Sequence, residues 1–527
     1  MSTEEIKKEF DILDMNNYKM EKLPKREKSS IELFLMKIGV PLALLSFILI
    51  LFVLDLDFLK NFDIATLSTK AKANLDKVGM DNFVFSNKAM LAIFVASLIL
   101  WVTEPIPNYL TSLILIITLV LTHVLPEKEA YAQLGHKVMW LNILSFILAS
   151  MLVATGVAKR FALWFIIKFG KNSTSMIFSF MLINLVLSLF ISATTAKAAI
   201  LLPIFMVVAA VYGASNGSRN NFGRNIVLQN LFQNNMGASS FLTGSGANLL
   251  AASLIAGAIG KDIFFSDWMT ASLPVAMLLM VIAYFVGTKI FFPISKEERT
   301  PVIPGGMEKL KEELAKMGKI GFDEIKSIII FSAILGLWVT DKYHGISPTA
   351  VAFLGAIIAL MPKVGVVEWN DIDIPWHLLM FSAGAYTLGA GLKVTDLSGI
   401  AVNSFFDSIG IGKETSYMTL YVILTAGMVF SALIFQSKTM RTMIFIPIAI
   451  GIASRFGFTV MSLAFPLAML IEHVYVLPFN SKPALLSYTT NQYSWSDTFK
   501  FGVTMQVIAW VVSIIMGMTY FKLLGIT

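Results

Sequence analysis

The sequence predicts an all-α polytopic membrane protein. Of its 527 residues, 56% are hydrophobic and only 14% are charged, whereas soluble domains carry about 25% charged residues. Apolar stretches long enough to cross a bilayer recur along nearly the whole chain, and matching segments occur in its two halves. These observations predict about eleven transmembrane helices, arranged as one span followed by two inverted repeats.

The chain begins with a polar segment, residues 1–32, that we expect to form a cytoplasmic tail. It is rich in Lys and Glu and lacks the apolar core and small-residue cleavage site of a signal peptide, so no cleavable signal is expected. The first span follows near 33–55. Together with the polar stretch after it, this span forms a predicted segment at 33–87.

The first repeat is expected at residues 88–294 and begins with three spans. The third should be broken, because Lys159 and Arg160 interrupt its apolar sequence. These spans are predicted at 88–105, 107–125 and 140–168.

Two short apolar arms, 176–191 and 196–212, then enclose a polar segment and predict a re-entrant hairpin. A hairpin of this kind is tolerated at membrane depth only where protein or water covers its tip. Hydroxyls and cations at that depth are expensive, and by default they mark a substrate path. The residues of this first tip and the start of its outgoing arm are Ser192, Ala193, Thr194, Thr195 and Lys197.

The next span, 224–259, is expected to unwind at its centre. Gly244, Gly246 and Asn248 stand there among polar neighbours inside an otherwise apolar stretch. A final span near 268–292 completes the first repeat.

The second repeat, predicted at 327–527, follows a cytoplasmic linker at 295–326 and shows the same order of segments. Matching segments are 230 to 245 residues apart, a nearly constant separation that chance would not favour. The matches are 100–104 with 337–341, Ser192 with Ser437, and 266–268 with 495–497. The second tip and its outgoing arm contain Ser437, Lys438, Thr439 and Arg441, and the second break contains Asn480, Ser481, Lys482 and Pro483.

The distribution of charge predicts the orientation of the chain. Lys and Arg are concentrated in the tail and the linker, which places both in the cytoplasm and, with eleven crossings, the C-terminus outside. The net charge of +7 fits this bias better than nucleic-acid binding, and we expect no nucleic-acid partner. The chain has no cysteine, which excludes disulfides and thiol chemistry.

These features together resemble the divalent anion/sodium symporter family, the INDY-type di- and tricarboxylate transporters, over roughly residues 88–525. In that family each hairpin tip carries a Ser-Asn-Thr motif, and a Gly-Thr/Pro-Pro-Asn-like break follows in the next span. Substrate carboxylates lie between the two tips, with sodium beside them. The resemblance implies an elevator mechanism, in which a transport part moves against a scaffold that forms a homodimer, here in a bacterial plasma membrane.

The resemblance also implies roles for particular residues. The first tip is Ser192-Ala193-Thr194. It is instead Ala193-Thr194-Thr195 if the proline that follows determines the alignment with the second tip. The implied substrate-binding residues are Ser192, Ala193, Thr194, Thr195, Ser437, Lys438, Thr439, Asn248 and Ser481. The charge-compensating residues are Lys197, Lys438, Arg441 and Lys482, and the unwound helices contain Gly244, Gly246 and Pro483. No metal and no cofactor is expected.

The chain departs from the family at both tips, because neither has an asparagine at its centre and Lys438 occupies that place in the second. An ammonium repels a sodium ion at ~4 Å by about 4 kcal/mol at an effective dielectric of 20. A tethered lysine can instead supply the charge that sodium would give. Because this charge cannot leave with the substrate, the empty carrier would move uncompensated cations, which predicts sodium-independent exchange of C4–C5 dicarboxylates such as 2-oxoglutarate, malate, succinate and fumarate.

Other functions stay open at this point. A sodium-coupled symporter or a citrate/succinate antiporter of the same fold would differ in ion dependence or substrate, and a transporter of oxyanions such as arsenite or sulfate is a further alternative. A membrane enzyme is not expected, because the sequence has no HExxH, GxSxG or cysteine nucleophile. A channel would not need two cationic re-entrant tips. For Glu472 and His473, which have no second histidine nearby, we expect a packing or helix-end role.

Overall fold

The computed structural model describes residues 12–19, 30–214, 219–303, 306–410, 412, 414–435 and 437–527. All regular secondary structure in these ranges is helical. Most of the predicted tail at 1–32, and two residues of the predicted linker, lie outside the described residues. The structure therefore confirms the predicted all-α class for the part of the chain that it describes.

The first half contains twelve α-helices, and several of them are continued or joined by short turns. A π-turn at Leu49–Val53 extends α1, and a second at Val286–Phe291 extends α12. The helices are α1 Ser30–Ile48, α2 Thr69–Val78, α3 Met80–Thr103, α4 Asn108–Leu121, α5 Glu127–Ala132, α6 Lys137–Ala154, α7 Val157–Phe169, α8 Ser173–Phe190, α9 Thr194–Val211, α10 Asn221–Ser240, α11 Gly246–Ile259 and α12 Phe265–Phe285.

The second half repeats this order after a linker helix, α13. The helices are α13 Gly306–Lys316, α14 Phe322–Val339, α15 Asp341–His344, α16 Pro348–Leu360, α17 Trp376–Thr395, α18 Leu397–Ser408, α19 Tyr417–Phe430, α20 Lys438–Phe456, α21 Val460–Met469, α22 Lys482–Thr489, α23 Trp495–Met518 and α24 Tyr520–Leu523.

Seven helical segments of the described chain are long and apolar enough to cross a membrane. Six further apolar helices are shorter, with 10 to 17 residues, and four of them are incoming hairpin arms or halves of the broken spans. The prediction of a polytopic membrane protein is thus confirmed, whereas the count of eleven crossings and the inverted orientation of the repeats stay predictions. The seven segments are Glu32–Val53, Met80–Thr103, Glu127–Ala154, Thr194–Val211, Phe265–Phe291, Lys438–Phe456 and Trp495–Leu523.

A pair of tryptophans shows that the two halves are built alike. Trp101 near the end of α3 donates its indole N–H to the carbonyl of Asn108, the first residue of α4, at 3.4 Å. Trp338 near the end of α14 donates in the same way to Pro348, the first residue of α16, at 3.0 Å. Both rings are almost fully buried, so each fixes the corner between the first two apolar helices of its half.

The predicted break in the third span is present but has another cause. Helix α6 ends at Ala154, and Gly156 has a left-handed φ of 79°, which turns the chain into α7. Lys159 and Arg160, which the sequence analysis took as the interruption, lie inside α7 and bind the linker region. Arg160 donates to Glu324 at 2.6 Å and to the carbonyl of Met317 at 2.9 Å.

Two predicted boundaries also shift. Helix α3 begins at Met80, so the polar residues 80–87 belong to the second apolar helix and not to the segment before it. The change follows from Gly79, whose φ of 81° ends α2 and starts α3 within one residue. The linker at 295–326, expected to be polar throughout, contains helix α13 and the start of α14.

The two halves interlock around their broken helices. Helix α11, which follows the first break, packs against α20 and α21 of the second half, and α22, which follows the second break, packs against α9 and α10 of the first. The ends of α10 and α21 also meet, since the Ser239 hydroxyl donates to the Met469 carbonyl at 2.9 Å. Both hairpins and both breaks therefore lie at the contact between the halves.

Candidate functional site

The two hairpin tips correspond at a separation of 244 residues. Helix α9 begins at Thr194 and α20 begins at Lys438, and the same separation relates Lys197 to Arg441. The prolines inside these helices, Pro203 and Pro447, differ by the same amount. The first tip thus takes the register that its proline sets, with Thr194 in the place of Lys438.

The tips differ in how their outgoing helices are capped. At the second tip the Ser437 hydroxyl accepts the amide N–H of Met440 at 3.3 Å and so caps α20. At the first tip Ala193 occupies the capping position and offers no side-chain acceptor to the start of α9. The Ser192 hydroxyl is buried and has no partner among the described protein atoms. The first tip therefore presents a helix N-terminus and a hydroxyl that an anion could use.

Lys197 is completely buried one turn into α9. Its ammonium donates to the Ser188 hydroxyl of α8 at 2.5 Å and to the Asn234 carbonyl of α10 at 3.3 Å. The two threonines of this tip, Thr194 and Thr195, are half-buried. Lys197 thus joins both arms of the first hairpin to the first broken helix.

Arg441 makes the corresponding contacts in the second half and is also completely buried. Its guanidinium donates to the Ser431 hydroxyl at 2.8 Å and to the Met428 carbonyl, both at the end of the incoming arm. It also donates to the carbonyls of Ile471 at 2.9 Å and Leu470 at 3.4 Å, just beyond α21. Arg441 therefore binds backbone carbonyls, and its charge-compensating role stays a prediction.

Lys438 has a carboxylate partner that the sequence analysis did not give it. Its ammonium forms an ion pair with Glu472, whose side chain is fully buried, while the Lys438 side chain is 13% exposed. The other carboxylate oxygen of Glu472 accepts the Ser245 hydroxyl at 2.5 Å. Glu472 therefore joins the second tip to the first break through an ion pair and a hydrogen bond.

The neighbouring residue His473 makes a different contact. Its Nδ1 lies 2.8 Å from the Tyr475 hydroxyl, and Gln506 donates to its backbone carbonyl at 3.3 Å. These contacts point away from the ion pair, so Glu472 and His473 do not act as one unit.

The first break is a short segment between α10 and α11 that contains a single 3-10 turn, Leu242–Gly244. The Asn248 amide donates to the carbonyls of Ala238 at 2.9 Å and Phe241 at 3.0 Å, which closes the segment. Gly244 lies inside it, and a Cβ there would come within 2.1 Å of the Ala238 carbonyl oxygen. Gly246, predicted to be unwound, is instead the first residue of α11.

The second break is longer and runs from residue 470 to 481. The Asn480 amide donates to the Ala432 carbonyl at 2.7 Å, and the Ser481 hydroxyl accepts the Ala484 amide N–H at 3.3 Å as the cap of α22. Lys482 and Pro483 are the first two residues of α22, so neither is unwound. The Lys482 side chain is exposed, and the structure does not bring it into the buried cluster with Lys438.

Four ionisable groups thus lie where the tips and breaks converge. Lys197 interacts electrostatically with both Lys438 and Glu472, and Arg441 interacts with Glu472. With all four groups ionised, three cations and one carboxylate give this cluster a net charge of +2. Buried charges persist only where they are paired and hydrogen-bonded, so an excess of two cations calls for a negatively charged ligand.

Sequence reasoning found the tips, the cations and both breaks but missed the contacts between them. Ser188, Asn234 and Ser245 gave no signal, because single hydroxyl and amide residues are common in apolar helices. Glu472 did give one, since a carboxylate inside a long apolar run is expensive unless it has a partner. Its partner, Lys438, lies 34 residues away and could be found only from the fold.

Known proteins similar to this chain include membrane transporters. The chain is 23% identical over 471 residues to a protein of Cupriavidus necator named "Membrane protein". The aligned region covers 84% of this chain and 89% of that protein. It is 29% identical over 287 residues to the putative malate transporter YflS of Bacillus subtilis. The aligned region covers 54% of this chain and 58% of YflS. It is 25% identical over 457 residues to the sodium-dependent dicarboxylate transporter SdcS of Staphylococcus saprophyticus. The aligned region covers 82% of this chain and 86% of SdcS.

A family model described as the sodium:sulfate symporter transmembrane region matches residues 81–527. The match begins at the second residue of α3 and includes both hairpins, both breaks and the linker. It confirms that the protein is a transporter and not an enzyme. The chain belongs to this family of divalent anion/sodium symporters, the family that its two polar tips and broken helices resemble.

Proposed function

We propose that this protein exchanges C4–C5 dicarboxylates across a bacterial plasma membrane without sodium. The substrates in this proposal are 2-oxoglutarate, malate, succinate and fumarate. Lys and Arg side chains take the place of sodium, and the transport part moves as an elevator within a homodimer. The N-terminus is cytoplasmic and the C-terminus outside.

One observation supports this function above all, the net charge of +2 on the buried cluster of Lys197, Lys438, Arg441 and Glu472. A dianion neutralises that charge, whereas a trianion would leave an excess of one. The positive charges are covalent and stay behind when the substrate leaves. The loaded site can then cross between the two sides as a neutral unit, while the empty site carries two uncompensated charges.

The tips add donors that a carboxylate can use. The Ser192 hydroxyl is buried without a protein partner, and the start of α9 has no side-chain cap. Hydroxyls and free amide groups at a helix N-terminus are suited to carboxylate oxygens. The half-buried hydroxyls of Thr194 and Thr439 lie next to these groups in the sequence of each tip.

The rival function is a sodium-coupled symporter of the same fold. It is favoured by one finding, the similarity to a transporter named as sodium-dependent over 82% of this chain. Against it stand the ammonium groups of Lys197 and Lys438, because each would repel a sodium ion bound at the adjacent tip.

The two functions are separated by uptake of labelled succinate or 2-oxoglutarate into proteoliposomes. Vesicles are preloaded with unlabelled substrate or left empty, with and without sodium. The exchanger takes up label only into preloaded vesicles and is indifferent to sodium. Sodium-dependent uptake into empty vesicles would overturn the proposal in favour of the symporter.

A pair of variants connects this outcome to the cluster. Lys197→Met removes one buried cation and should abolish exchange, or reduce it by at least about tenfold. Lys261→Met removes an exposed lysine between α11 and α12 and serves as the matched control. Equal exchange by the two variants would mean that the buried charge has no part in transport.

A further inference from the structure

We propose that Glu472 sets the valence of the anion that the site accepts. This inference rests on the proposed dicarboxylate exchange, and it assigns to one residue the choice between dianions and trianions. Without this carboxylate the same cluster would carry three positive charges, and with it the cluster carries two.

The position of Glu472 suits this role. Its side chain is fully buried, and its two oxygens are held by different halves of the protein, one by Lys438 and one by Ser245. A carboxylate held in this way cannot turn out to water, so its charge is a fixed part of the site. It therefore acts on any anion that approaches the cluster.

The exposed side of the ion pair belongs to Lys438. That side chain is 13% exposed while Glu472 has no exposed surface. A substrate carboxylate approaching the second tip would meet the ammonium first and find Glu472 behind it. The ammonium is then shared between two carboxylates, so Glu472 weakens its attraction for the substrate instead of blocking access to it.

The other charged groups do not offset the weaker attraction between Lys438 and the substrate. Arg441 is bound to backbone carbonyls and to Ser431, and Lys197 to Ser188 and the Asn234 carbonyl, so both side chains are fixed in place. His473 is bonded to the Tyr475 hydroxyl. The carboxylate of Glu472 is thus the anion of the cluster, and its removal changes the net charge by one unit.

The test compares succinate, a dianion, with citrate, a trianion at about pH 7.5, as inhibitors of labelled succinate exchange in proteoliposomes. Glu472→Gln keeps the shape of the side chain and its bond with Ser245 but raises the charge of the cluster to +3. It should shift the preference towards citrate by at least about tenfold, which corresponds to about 1.4 kcal/mol. Glu368→Gln removes an exposed carboxylate between α16 and α17 and is the matched control.

A double variant keeps the inference open to disproof if Glu472→Gln folds poorly. Lys438→Gln with Glu472→Gln removes the whole ion pair and restores a net charge of +2, so its preference should return to succinate. Glu472→Asp keeps the charge and should keep the preference as well. A Glu472→Gln protein that exchanges anions with an unchanged preference, or a double variant that prefers citrate, would overturn the inference.

Failure of this inference can be told apart from failure of the proposed function. The preference is a ratio, and it is measured with and without sodium for the wild-type protein and each variant. Sodium-dependent wild-type uptake would reject the exchanger while leaving the ratio measurable. Sodium-independent exchange with no change of ratio in Glu472→Gln would reject only the role of Glu472.

Discussion

Ser192 has a buried hydroxyl that forms no hydrogen bond with the described part of the protein. Its Oγ has no partner among the described protein atoms, although the residue is buried. An unpaired hydroxyl at this depth costs stability unless a ligand or water pairs with it. The Ser192→Ala variant should therefore fold as well as the wild type but bind substrate more weakly.

The expected loss for Ser192→Ala is that of one hydrogen bond, about 0.5–1.5 kcal/mol, or a rise in the half-saturating substrate concentration of roughly 2–10-fold. It is measured from the substrate dependence of exchange. Ser272→Ala is the control, because Ser272 is also buried and unpaired but lies in α12, beside a separate small cavity lined by Pro466 and His473. An equal effect in both variants would argue that Ser192 has no special role.

Arg441 stabilises the fold through its planar shape as well as its charge. Its guanidinium holds carbonyls at the end of the incoming arm and beyond α21. Removing it leaves several buried carbonyls without this donor, so Arg441→Met should cost about 1–3 kcal/mol of stability. Arg441→Lys should recover only part of this, because one ammonium cannot reproduce the fork of donors.

Thermal unfolding in detergent, followed by the monodisperse fraction of protein, measures both variants. Arg299→Met changes an exposed arginine in the linker and should stay within about 0.5 kcal/mol of the wild type. If Arg441→Met unfolds at the wild-type temperature, the arginine does not hold the hairpin.

For individual residues, the sequence predicted which residues belong to the candidate site better than it predicted their contacts. Ser192, Lys197, Lys438 and Arg441 stood out because hydroxyls and cations are rare inside apolar segments. The pairing of Lys438 with Glu472 could not be predicted, since it depends on how the second tip and the second break meet. The same limit explains why Lys482, equally conspicuous in the sequence, lies exposed at the start of α22.

Among the elements, the first break depends on one glycine and not on its neighbour. A Cβ at Gly244 would lie 2.1 Å from the Ala238 carbonyl oxygen, whereas a Cβ at Gly246 would have its nearest contact at 3.5 Å. Gly244→Ala should therefore destabilise the protein by about 1–3 kcal/mol, because the backbone of the break must shift. Gly246→Ala, at the start of α11, should be tolerated.

The same thermal unfolding assay tests this pair of variants. The two substitutions add one methyl group each, two residues apart, so they differ only in the space around them. Equal stability of both proteins would mean that the break can relax around a side chain at residue 244.

The linker helix α13 should respond to acid. Hydrogen bonding by Lys316, and then by Lys159 of α7, holds the pKa of the Glu313 carboxyl below its usual value of 4.5. A carboxylate with a lowered pKa stabilises the folded contact above its usual pKa, and this contribution is lost as the pH falls through the lowered value. The contact between α13 and α7 should therefore weaken below about pH 4.5.

Amide hydrogen exchange of α13 measures this effect. Glu313→Gln should reduce protection at about pH 6, and the difference from the wild type should shrink as the pH falls below about 4.5. Glu308→Gln, which removes an exposed carboxylate of the same helix, is the control. A difference that persists in acid would show that the charge of Glu313 is not what holds α13.

The order of elements could be predicted from the sequence more fully than their ends. The repeat was visible because Trp101 and Trp338 and the two tips recur at similar separations, and each corresponding element is present in both halves. The break between α6 and α7 was assigned to charged residues, but the backbone of Gly156 determines it. Charge patterns do not reveal which glycine adopts a left-handed conformation.

For the whole molecule, the predicted orientation places the linker in the cytoplasm and the C-terminus outside. The chain has no cysteine, so a single introduced cysteine can be labelled without background. A cysteine at exposed Lys316 should be protected from an impermeant maleimide in intact cells, and one at exposed Leu523 should react. Labelling of both positions from the same side would reject an odd number of crossings between them.

The crossing of the halves has a consequence for how the protein is made. Ser245 bonds with Glu472, 227 residues later in the chain, and α22 packs against α9 and α10. During synthesis the surfaces of α9 and α10 that contact α22 therefore stay uncovered in the membrane until nearly the whole chain has been made. We expect ribosome-bound chains that stop before α22 to be the forms that insertion chaperones retain and membrane proteases remove.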